Sequence, residues 1–374
     1  MTLTVSGAGI TNNSGTTQNF VAAADAAGDG GIAFTNSATA GSGTSFTANG
    51  GTVSGGGVGL IEFFNTSTAG SGTFTSNAGT ASGTIGGFIG FNDSSTAGNG
   101  TFIANGGTVS DSNRGHVDFF NTSTAGNGIF ISNGSSFSGE LGGTTRFFDS
   151  ATADSGTFTA NGGTVSGARG GTIQFFNSST AGNGNFTNNR GAVIGALGGR
   201  TSFFDSSTAG NGTFTNEGGV DNTQFDGGGT IFLNSSSASS GTFTNNGGAA
   251  NGAIGGTVHF QDNSTAANGM FTNNGGTASG AASGNTNFYN TSTAANGTFI
   301  NNGAAVSGAG GGAAQFLDDS SAGNGIFTNN GGTASVAGGG YTNFGNSSTA
   351  SSGTFTNNGA AVDGAGGGTR RSIS

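Results

Sequence analysis

The sequence predicts an all-β fold, a parallel β-solenoid built from coils of 28 residues that stack on one another. Three observations carry this prediction: one phrase repeats with nearly constant spacing, each copy contains short alternating apolar runs, and the composition is rich in turn-forming residues. Parallel strands are joined by right-handed crossovers in almost all known folds. We therefore expect a right-handed parallel β-helix of about 12 coils.

The composition excludes several other classes of protein. The 374 residues include 82 Gly and 33 Phe, but no Pro, Cys or Trp, and only 6% of residues are charged. Gly, Asn, Ser and Thr are poor helix formers, and the apolar residues show no 3.6-residue recurrence. So many aromatic rings argue against a disordered linker, which has no core to fill. The absence of Cys removes disulfides and thiolate metal sites.

Two phenylalanine columns define the repeat. The Phe of the phrase GTFT recurs every 28 residues, with a single step of 29 between Phe214 and Phe243, and a second Phe recurs with the same spacing. An isolated coil cannot bury its own apolar side chains, so both columns are expected to point inward and stack. The first predicted core residues are Phe63, Phe74, Phe91, Phe102, Phe119, Phe130, Phe147 and Phe158.

Each coil is expected to contain three short strands. In the coil that begins at Leu60, they cover residues 60–64, 73–75 and 80–82. Side chains alternate across a strand, so Phe63 points inward in the first of them. The middle column of the third strand is mostly Ala or Val and is predicted to be a narrow inward position. Glycine pairs such as 86–87 are assigned to turns that need positive φ.

The pattern divides the chain into two parts. Residues 1–33 form an irregular N-terminal coil or cap, and residues 34–374 form the solenoid, with an irregular coil at 217–229. In that coil Glu217 replaces a recurrent Asn and one residue is inserted. Glu217, Asp221 and Asp226 offer three acids to a cation or partner, but a tolerated loop insertion is the favoured interpretation.

An Asn/Asp row follows the second Phe column and alternates without exception from residue 65 onward. Its members are Asn65, Asp93, Asn121, Asp149, Asn177, Asp205, Asn234, Asp262, Asn290, Asp318 and Asn346. Adjacent carboxylates would lie about 4.8 Å apart, so an intervening amide reduces their repulsion and can donate hydrogen bonds to them. We interpret the row as a structural ladder. A row of calcium sites is the alternative, and otherwise no cofactor is expected.

The sequence predicts no catalytic or cofactor-binding residue, and the protein is not expected to be an enzyme. Catalytic sites on solenoids need clustered acids and bases, which the outward columns lack. His116 and His259 lie five coils apart and are interpreted as solvated surface residues. Asp118 beside Arg146 is interpreted as an exposed ion pair that contributes little stability.

A threonine face is predicted on the outside of the second strand. Its members are Thr73, Thr75, Thr157, Thr159, Thr213, Thr215, Thr242 and Thr244. Regular Thr pairs resemble the ice-binding surface of some β-solenoid antifreeze proteins. Ile129 and Met270 interrupt the array, and Thr is also a favourable exposed strand residue. Binding of ice or a glycan through this face is the alternative function.

The repeat phrase resembles a known family. The run FFDSSTAGNGTFTNEGG, and the recurrence of STAGNG followed by TNNGG, are similar to STAGN-type repeats of bacterial autotransporter passenger domains. The resemblance covers nearly all of residues 34–374, although the usual family repeat is shorter. It implies a right-handed β-helix displayed outside the cell, with adhesive or spacer roles.

These observations together predict a non-enzymatic extracellular rod at the bacterial cell surface, either a stalk or a self-associating fibre subunit. Copies would stack through open solenoid ends, with Arg370 and Arg371 meeting Asp25 and Asp29; flanking passenger segments, a glycan or a host surface are further partners. Nucleic acid and anionic membrane are disfavoured by a net charge of −10 and the lack of Lys. No stretch is apolar enough to span a membrane.

Overall fold

The computed structural model describes residues 1–23, 28–220 and 226–373, and every regular element in these ranges is a β-strand. The predicted fold class is confirmed: the chain is an all-β parallel β-solenoid with a repeat of about 28 residues and about 13 coils. Each coil contributes one strand to each of two sheets. Contacts divide the chain into two compact units, Met1–Asn185 and Phe186–Ser374.

In the N-terminal unit, odd-numbered strands pair in parallel with one another and even-numbered strands do the same. The odd strands are β1 (Thr2–Val5), β3 (Gly30–Phe34), β5 (Gly59–Phe63), β7 (Phe88–Phe91), β9 (His116–Phe119), β11 (Thr144–Phe147) and β13 (Thr172–Phe175). The even strands are β2 (Gln18–Ala22), β4 (Thr44–Ala48), β6 (Thr73–Ser76), β8 (Thr101–Ala104), β10 (Ile129–Ser132) and β12 (Thr157–Ala160). Strand β14 (Asn185–Asn188) begins at the last residue of this unit.

The C-terminal unit repeats the same parallel arrangement. Its odd strands are β15 (Arg200–Phe203), β17 (Gly229–Phe232), β19 (Thr257–Phe260), β21 (Asn285–Phe288), β23 (Ala313–Phe316), β25 (Tyr341–Gly345) and β27 (Thr369–Ile373). Its even strands are β16 (Thr213–Asn216), β18 (Thr242–Asn245), β20 (Met270–Asn273), β22 (Thr298–Asn301), β24 (Ile326–Asn329) and β26 (Thr354–Asn357).

The register places equal positions of successive coils beside each other. Phe63 pairs with Phe91, and Phe74 pairs with Phe102. Rings within a column stack with centroids 4.6 Å and 4.9 Å apart for these two pairs. Across the core, Phe63 and Phe74 meet edge to face at 5.7 Å. The core is therefore filled by two stacked ring columns that also contact each other, both favourable aromatic geometries.

The third predicted strand is wrong. Residues 80–83 form a turn, in which the Thr84 amide donates to the Ala81 carbonyl oxygen at 3.3 Å. The column expected to point inward is instead surface-directed, since Val53 is 45% exposed. The additional coil-to-coil pairing lies between the two strands of a coil, where single bridges such as Thr68 to Thr96 connect neighbours.

The predicted reason for the glycine pairs is also wrong. Neither Gly86 nor Gly87 has positive φ; a Cβ at Gly87 would instead lie 2.1 Å from the Ala48 carbonyl oxygen. Glycine is required there because two backbones approach closely. Positive φ falls in the preceding turn, at Gly83 with φ of 72°.

The segments outside the regular repeat are partly described. Strand β1 pairs with β3 and β2 pairs with β4, so residues 1–33 supply strands to the same two sheets. In the irregular coil, one carboxylate oxygen of Asp226 accepts a hydrogen bond from the Val220 amide at 2.9 Å. Asp221 and Asp25 lie outside the described residues.

Candidate functional site

The predicted core phenylalanines hold the coils together. Each is buried, with at most 1% of its surface exposed; they are Phe63, Phe74, Phe91, Phe102, Phe119, Phe130, Phe147 and Phe158. Full burial removes these side chains from any contact with a ligand. Candidate sites are therefore confined to the outer faces of the two sheets and to the turns.

A buried polar ladder fills part of the core in the C-terminal unit, and the sequence analysis did not identify it. Six of its asparagines are 0% exposed: Asn188, Asn216, Asn245, Asn273, Asn301 and Asn329. Each Nδ2 donates to Oδ1 of the asparagine in the following coil at 2.8 Å. Strand alternation gives the missing signal, because Asn188 lies two positions after the inward Phe186.

Threonines on the odd strands complete this ladder. Thr286 donates from Oγ1 to Oδ1 of Asn273 at 3.0 Å, and Thr342 does the same to Asn329. Burying an amide without hydrogen-bond partners costs free energy. The bond from Thr gives the asparagine Oδ1 a second donor and so reduces that cost. The ladder joins coils, and its six buried asparagines are shielded from solvent.

The Asn/Asp row occupies a turn with left-handed backbone. All eleven predicted members have φ between 54° and 59°. The Asp93 carboxylate accepts from the Asn65 amide nitrogen of the preceding coil at 2.8 Å, and the Asn121 side-chain oxygen accepts from the Asp93 amide at 3.0 Å. Asn and Asp are the residues that best tolerate this conformation. Backbone geometry thus explains the choice of these two residue types.

The expected hydrogen bonds from Asn side-chain amides to neighbouring carboxylates are present, but they are longer than those from the backbone amides. Asn65 Nδ2 lies 3.3 Å from an Asp93 carboxylate oxygen, and Asn121 Nδ2 lies 3.5 Å from that of Asp149. Among the described residues, no group of three or more His, Asp or Glu side chains is placed to hold a metal ion. The side-chain oxygens of the row act mainly as acceptors for backbone amides of the neighbouring coil.

A second asparagine ladder borders a surface groove in the N-terminal unit. Asn105 Nδ2 donates to Asn77 Oδ1 at 2.9 Å, and Asn77 donates to Asn49. These donors point toward the preceding coil, opposite to those of the buried ladder. The groove has a volume of about 480 Å³ and also includes hydroxyls such as that of Thr80. Its lining combines half-buried asparagines with buried Gly and Ala residues.

The threonine face lies on the outer side of the even strands. Thr73, Thr157 and Thr213 are exposed, and their partners two residues later are half-buried. In neither unit do the outward positions of the described even strands carry a charged residue. Ile129 and Met270 on the same face are 47% and 52% exposed. The face is therefore uncharged and mixes hydroxyl and aliphatic groups.

The interpretation of Asp118 and Arg146 as an exposed pair is wrong. Asp118 is only 1% exposed; Arg146 Nε donates to one of its oxygens at 2.9 Å and a terminal nitrogen donates to the other at 2.5 Å. Burial raises the pKa of the Asp118 carboxyl, and the bonds from Arg146 oppose that rise. Two-point contact with a buried carboxylate makes this a strongly coupled pair.

The two histidines are also less solvated than predicted. Burial lowers the pKa of His116 to about 3, with Arg146 and Arg114 adding to the effect. Burial lowers the pKa of His259 to about 4, with a further contribution from Arg200. Both imidazoles are therefore neutral at pH 7, on the outer side of the odd strands.

The described side chains predicted to join the chain ends have contacts within their own ends of the chain. Arg370 lies over the rings of Phe344 and Phe355, at 5.3 Å and 4.8 Å from their centroids. Arg371 lies over Tyr341 at 5.1 Å. One carboxylate oxygen of Asp29 accepts from the Val58 amide at 2.8 Å.

Comparison with known proteins identifies no family. No protein-family model matches the chain, and no curated protein matches it. The chain is similar to a solved structure described as the TibC-catalyzed hyper-glycosylated TibA55-350 fragment, with 15% identity and a TM-score of 0.40. The alignment covers 100% of this chain and 96% of that one. Membership of the STAGN-type repeat family stays a prediction. Within the described ranges, no helix is long and apolar enough to cross a bilayer.

Proposed function

We propose that this chain is a non-enzymatic structural and adhesive element that acts outside the cell. The observation that carries the proposal is the threonine face, a surface that presents uncharged side chains, mostly Thr, at equivalent positions coil after coil. Catalysis needs one constellation of groups, whereas adhesion gains from many equal weak contacts made at once. The repetition of the surface therefore favours binding to an extended partner.

The interior supports the same proposal. Ring stacks and, in the C-terminal unit, the buried asparagine ladder join each coil to the next through side chains as well as through strands. Such dense coil-to-coil contact stabilises regular geometry across many coils, as the one-dimensional stability of repeat proteins requires. A stiff scaffold keeps outward groups in register, which an adhesive surface needs.

The composition of the threonine face favours an organic surface, such as a glycan coat or host surface, over ice. Ile129, Met270 and Ile326 are about half exposed on this face and interrupt the hydroxyl array. Aliphatic groups gain free energy when an organic partner removes them from water. Ice binding through regular hydroxyls is the second candidate.

A binding assay with matched variants tests the proposal. The variant Thr157→Tyr/Thr213→Tyr places bulky groups on the threonine face, whereas Thr257→Tyr changes an outward position of an odd strand, β19. We expect purified wild-type protein to bind glycan-coated surfaces or host cells, and the double variant to bind at least tenfold more weakly. The Thr257→Tyr control should bind like wild type.

Two results would contradict the proposal. The first is equal binding by the double variant and the control, provided circular dichroism shows both folded. The second is wild-type binding no stronger than that of an unrelated acidic protein. Ice-recrystallisation inhibition, measured on the same proteins, separates the two candidates, because only an ice-binding face would lose such activity in the double variant.

A further inference from the structure

The surface groove of the N-terminal unit is lined by the same polar side chains in four consecutive coils. Each coil contributes an asparagine, a Gly or Ala one position later, and a Thr or Ser three positions later. The asparagines are Asn49, Asn77, Asn105 and Asn133, and the hydroxyl residues are Thr52, Thr80, Thr108 and Ser136. The groove volume of about 480 Å³ lies within the usual range of ligand sites, roughly 300–1,000 Å³. A ligand in this groove would meet the same set of groups in every coil.

The asparagine row keeps hydrogen-bonding capacity beyond its own ladder. A carboxamide has two N–H hydrogens and an oxygen with two lone pairs. Asn105 uses one hydrogen in donating to Asn77 and one lone pair in accepting from Asn133, both at 2.9 Å. Its side chain forms no other hydrogen bond within the described ranges, and it is half-buried rather than buried. One donor and one acceptor of Asn105 are therefore left for a ligand.

The hydroxyl row is still more accessible. Thr52, Thr80, Thr108 and Ser136 are all exposed. Within the described part of the chain, the Thr80 hydroxyl donates only to the Gly51 carbonyl oxygen, at a long 3.4 Å, and the other three hydroxyls have no hydrogen-bond partner. A hydroxyl donates one hydrogen bond and accepts two. The groove thus presents donors and acceptors together in each of its coils.

The charge and the spacing of the lining residues indicate the class of ligand. The lining carries no charged side chain, although the chain has a net charge of −10, so nothing in the groove favours an ionic ligand. Sugar hydroxyls both donate and accept hydrogen bonds, as the groups of the groove do. The ring stacks of the same coils are spaced by 4.8 Å to 4.9 Å. This spacing is close to the length of one sugar unit in an extended β-linked polysaccharide.

We propose that the groove binds an uncharged, extended polysaccharide chain, with about one sugar unit beside each coil and hydrogen bonds to both the amide row and the hydroxyl row. The equivalent positions of the C-terminal unit are less suited to such a ligand. There Glu217 replaces one asparagine, and the hydroxyl row is interrupted by Ala192, Val220, Ala249 and Ala305. The groove contains no residue of the threonine face, so the site does not depend on the proposed function.

Calorimetric titration of the full chain with neutral hexasaccharides tests the proposal. Cellohexaose and xylohexaose are extended β-linked chains, whereas maltohexaose contains the same glucose units as cellohexaose in a curved, α-linked chain. We expect saturable binding of the two extended chains and at least tenfold weaker binding of maltohexaose. Adding about 0.5 M sodium chloride should leave the affinity unchanged, because salt screens only charged contacts.

A pair of matched variants assigns the binding to the groove. Thr80→Val/Thr108→Val removes two groove hydroxyls at nearly constant side-chain size and should weaken binding at least tenfold, as expected for the loss of two hydrogen bonds. The control Thr277→Val/Thr333→Val removes hydroxyls from the equivalent exposed positions of the C-terminal unit. This control should bind like wild type. Circular dichroism of both variants verifies that they are folded.

A third variant separates this site from the threonine face. Thr157→Tyr/Thr213→Tyr alters only that face and should bind the hexasaccharides like wild type, whatever its effect on adhesion. A loss of hexasaccharide binding in this variant would place the sugar site on the threonine face and overturn the proposal. The proposal is also overturned when neither extended chain binds, when maltohexaose binds as tightly as cellohexaose, or when the Thr277→Val/Thr333→Val control loses as much affinity as the groove variant.

Discussion

The two units fill the same position of the core in different ways. At the inward end of each even strand, the N-terminal unit has only small residues, whereas the C-terminal unit has asparagine. The small residues are Ala48, Ser76, Ala104, Ser132 and Ala160, all 0% exposed. The residue thirteen or fourteen positions later, on the odd strand, changes as well. It is mostly Ile or Val in the first unit and often Thr in the second.

At these two core positions, side-chain volume and hydrogen-bonding capacity tend to change together. A small residue leaves room for a branched aliphatic side chain, such as Ile61 thirteen residues after Ala48. An asparagine fills more of that space and requires partners, which Thr201 supplies to Asn188 at 2.9 Å. One backbone repeat thus accommodates an apolar core and a hydrogen-bonded core. The two positions often change together, but Val258 accompanies Asn245 and Ala314 accompanies Asn301.

The largest expected effect comes from breaking the buried ladder. Asn273→Ala removes the acceptor of Asn245 and Thr286 and the donor to Asn301. Three buried groups each lose a hydrogen-bond partner, although the Asn245 amide keeps its bond to the Asn285 carbonyl oxygen. The free energy of unfolding should fall by about 3–5 kcal/mol, measured by guanidinium chloride denaturation.

The matched change in the N-terminal unit is Ser132→Ala. Ser132 has one side-chain partner across the core, Thr145 at 3.1 Å, and the substitution should cost about 1 kcal/mol. Equal losses for the two variants would show that the asparagine ladder carries no special share of the stability.

A smaller effect should follow when the polar residue is moved into the apolar unit. Ala104→Asn places an amide between Ser76 and Ser132 and against Val117, so overpacking and incomplete hydrogen bonding should cost about 2–3 kcal/mol. Adding Val117→Thr supplies the hydroxyl that accompanies asparagine in the C-terminal unit. The double variant should be about 1 kcal/mol more stable than the sum of the single changes predicts, measured as a double-mutant cycle.

The smallest effect concerns pH and the histidine of each unit. In the folded protein both imidazoles have a pKa below the ordinary value of about 6.5. Below pH 6.5 the unfolded chain therefore binds more protons than the folded chain. The stability contributed by neutral His259 is therefore complete above pH 6.5 and is lost as the pH falls toward about 4. From pH 7 to pH 5 we expect a loss of about 2 kcal/mol from this residue.

The variant His259→Gln should reduce that pH dependence, because Gln does not titrate and already occupies the same column at Gln174 and Gln315. Denaturation of both proteins at pH 5 and pH 7 provides the comparison. An identical pH dependence for wild type and variant would contradict the assignment to His259.

The sequence predicted those features that depend on repetition alone. The spacing of Phe63 and Phe91, together with strand alternation, was sufficient to predict stacked inward columns, because each coil must share its core with its neighbours. The same alternation contained the signal for Asn188 as an inward residue.

Features that depend on three-dimensional neighbours could not be predicted in this way. Val53 is a residue type typical of buried strands, but it lies in an exposed turn. The local sequence does not distinguish a buried strand from such a turn. Asp118 occupies an outward position, yet Arg146 of the next coil lies against it and helps exclude water. The alternation of Asn65 and Asp93 was interpreted through charge, whereas the backbone conformation sets the more general requirement.

The opposite directions of the two asparagine ladders have an electrostatic consequence. The C-terminal unit also has an outer asparagine row, in which Asn274 donates to Asn246 of the preceding coil, whereas Asn245 of the buried ladder donates toward the following coil. The dipoles of the two amide rows therefore oppose each other, unlike the aligned peptides of an α-helix, whose moments add to a macrodipole. These two rows together therefore add little net dipole as coils are added, so the side-chain ladders set little electrostatic limit on multiplying the repeat.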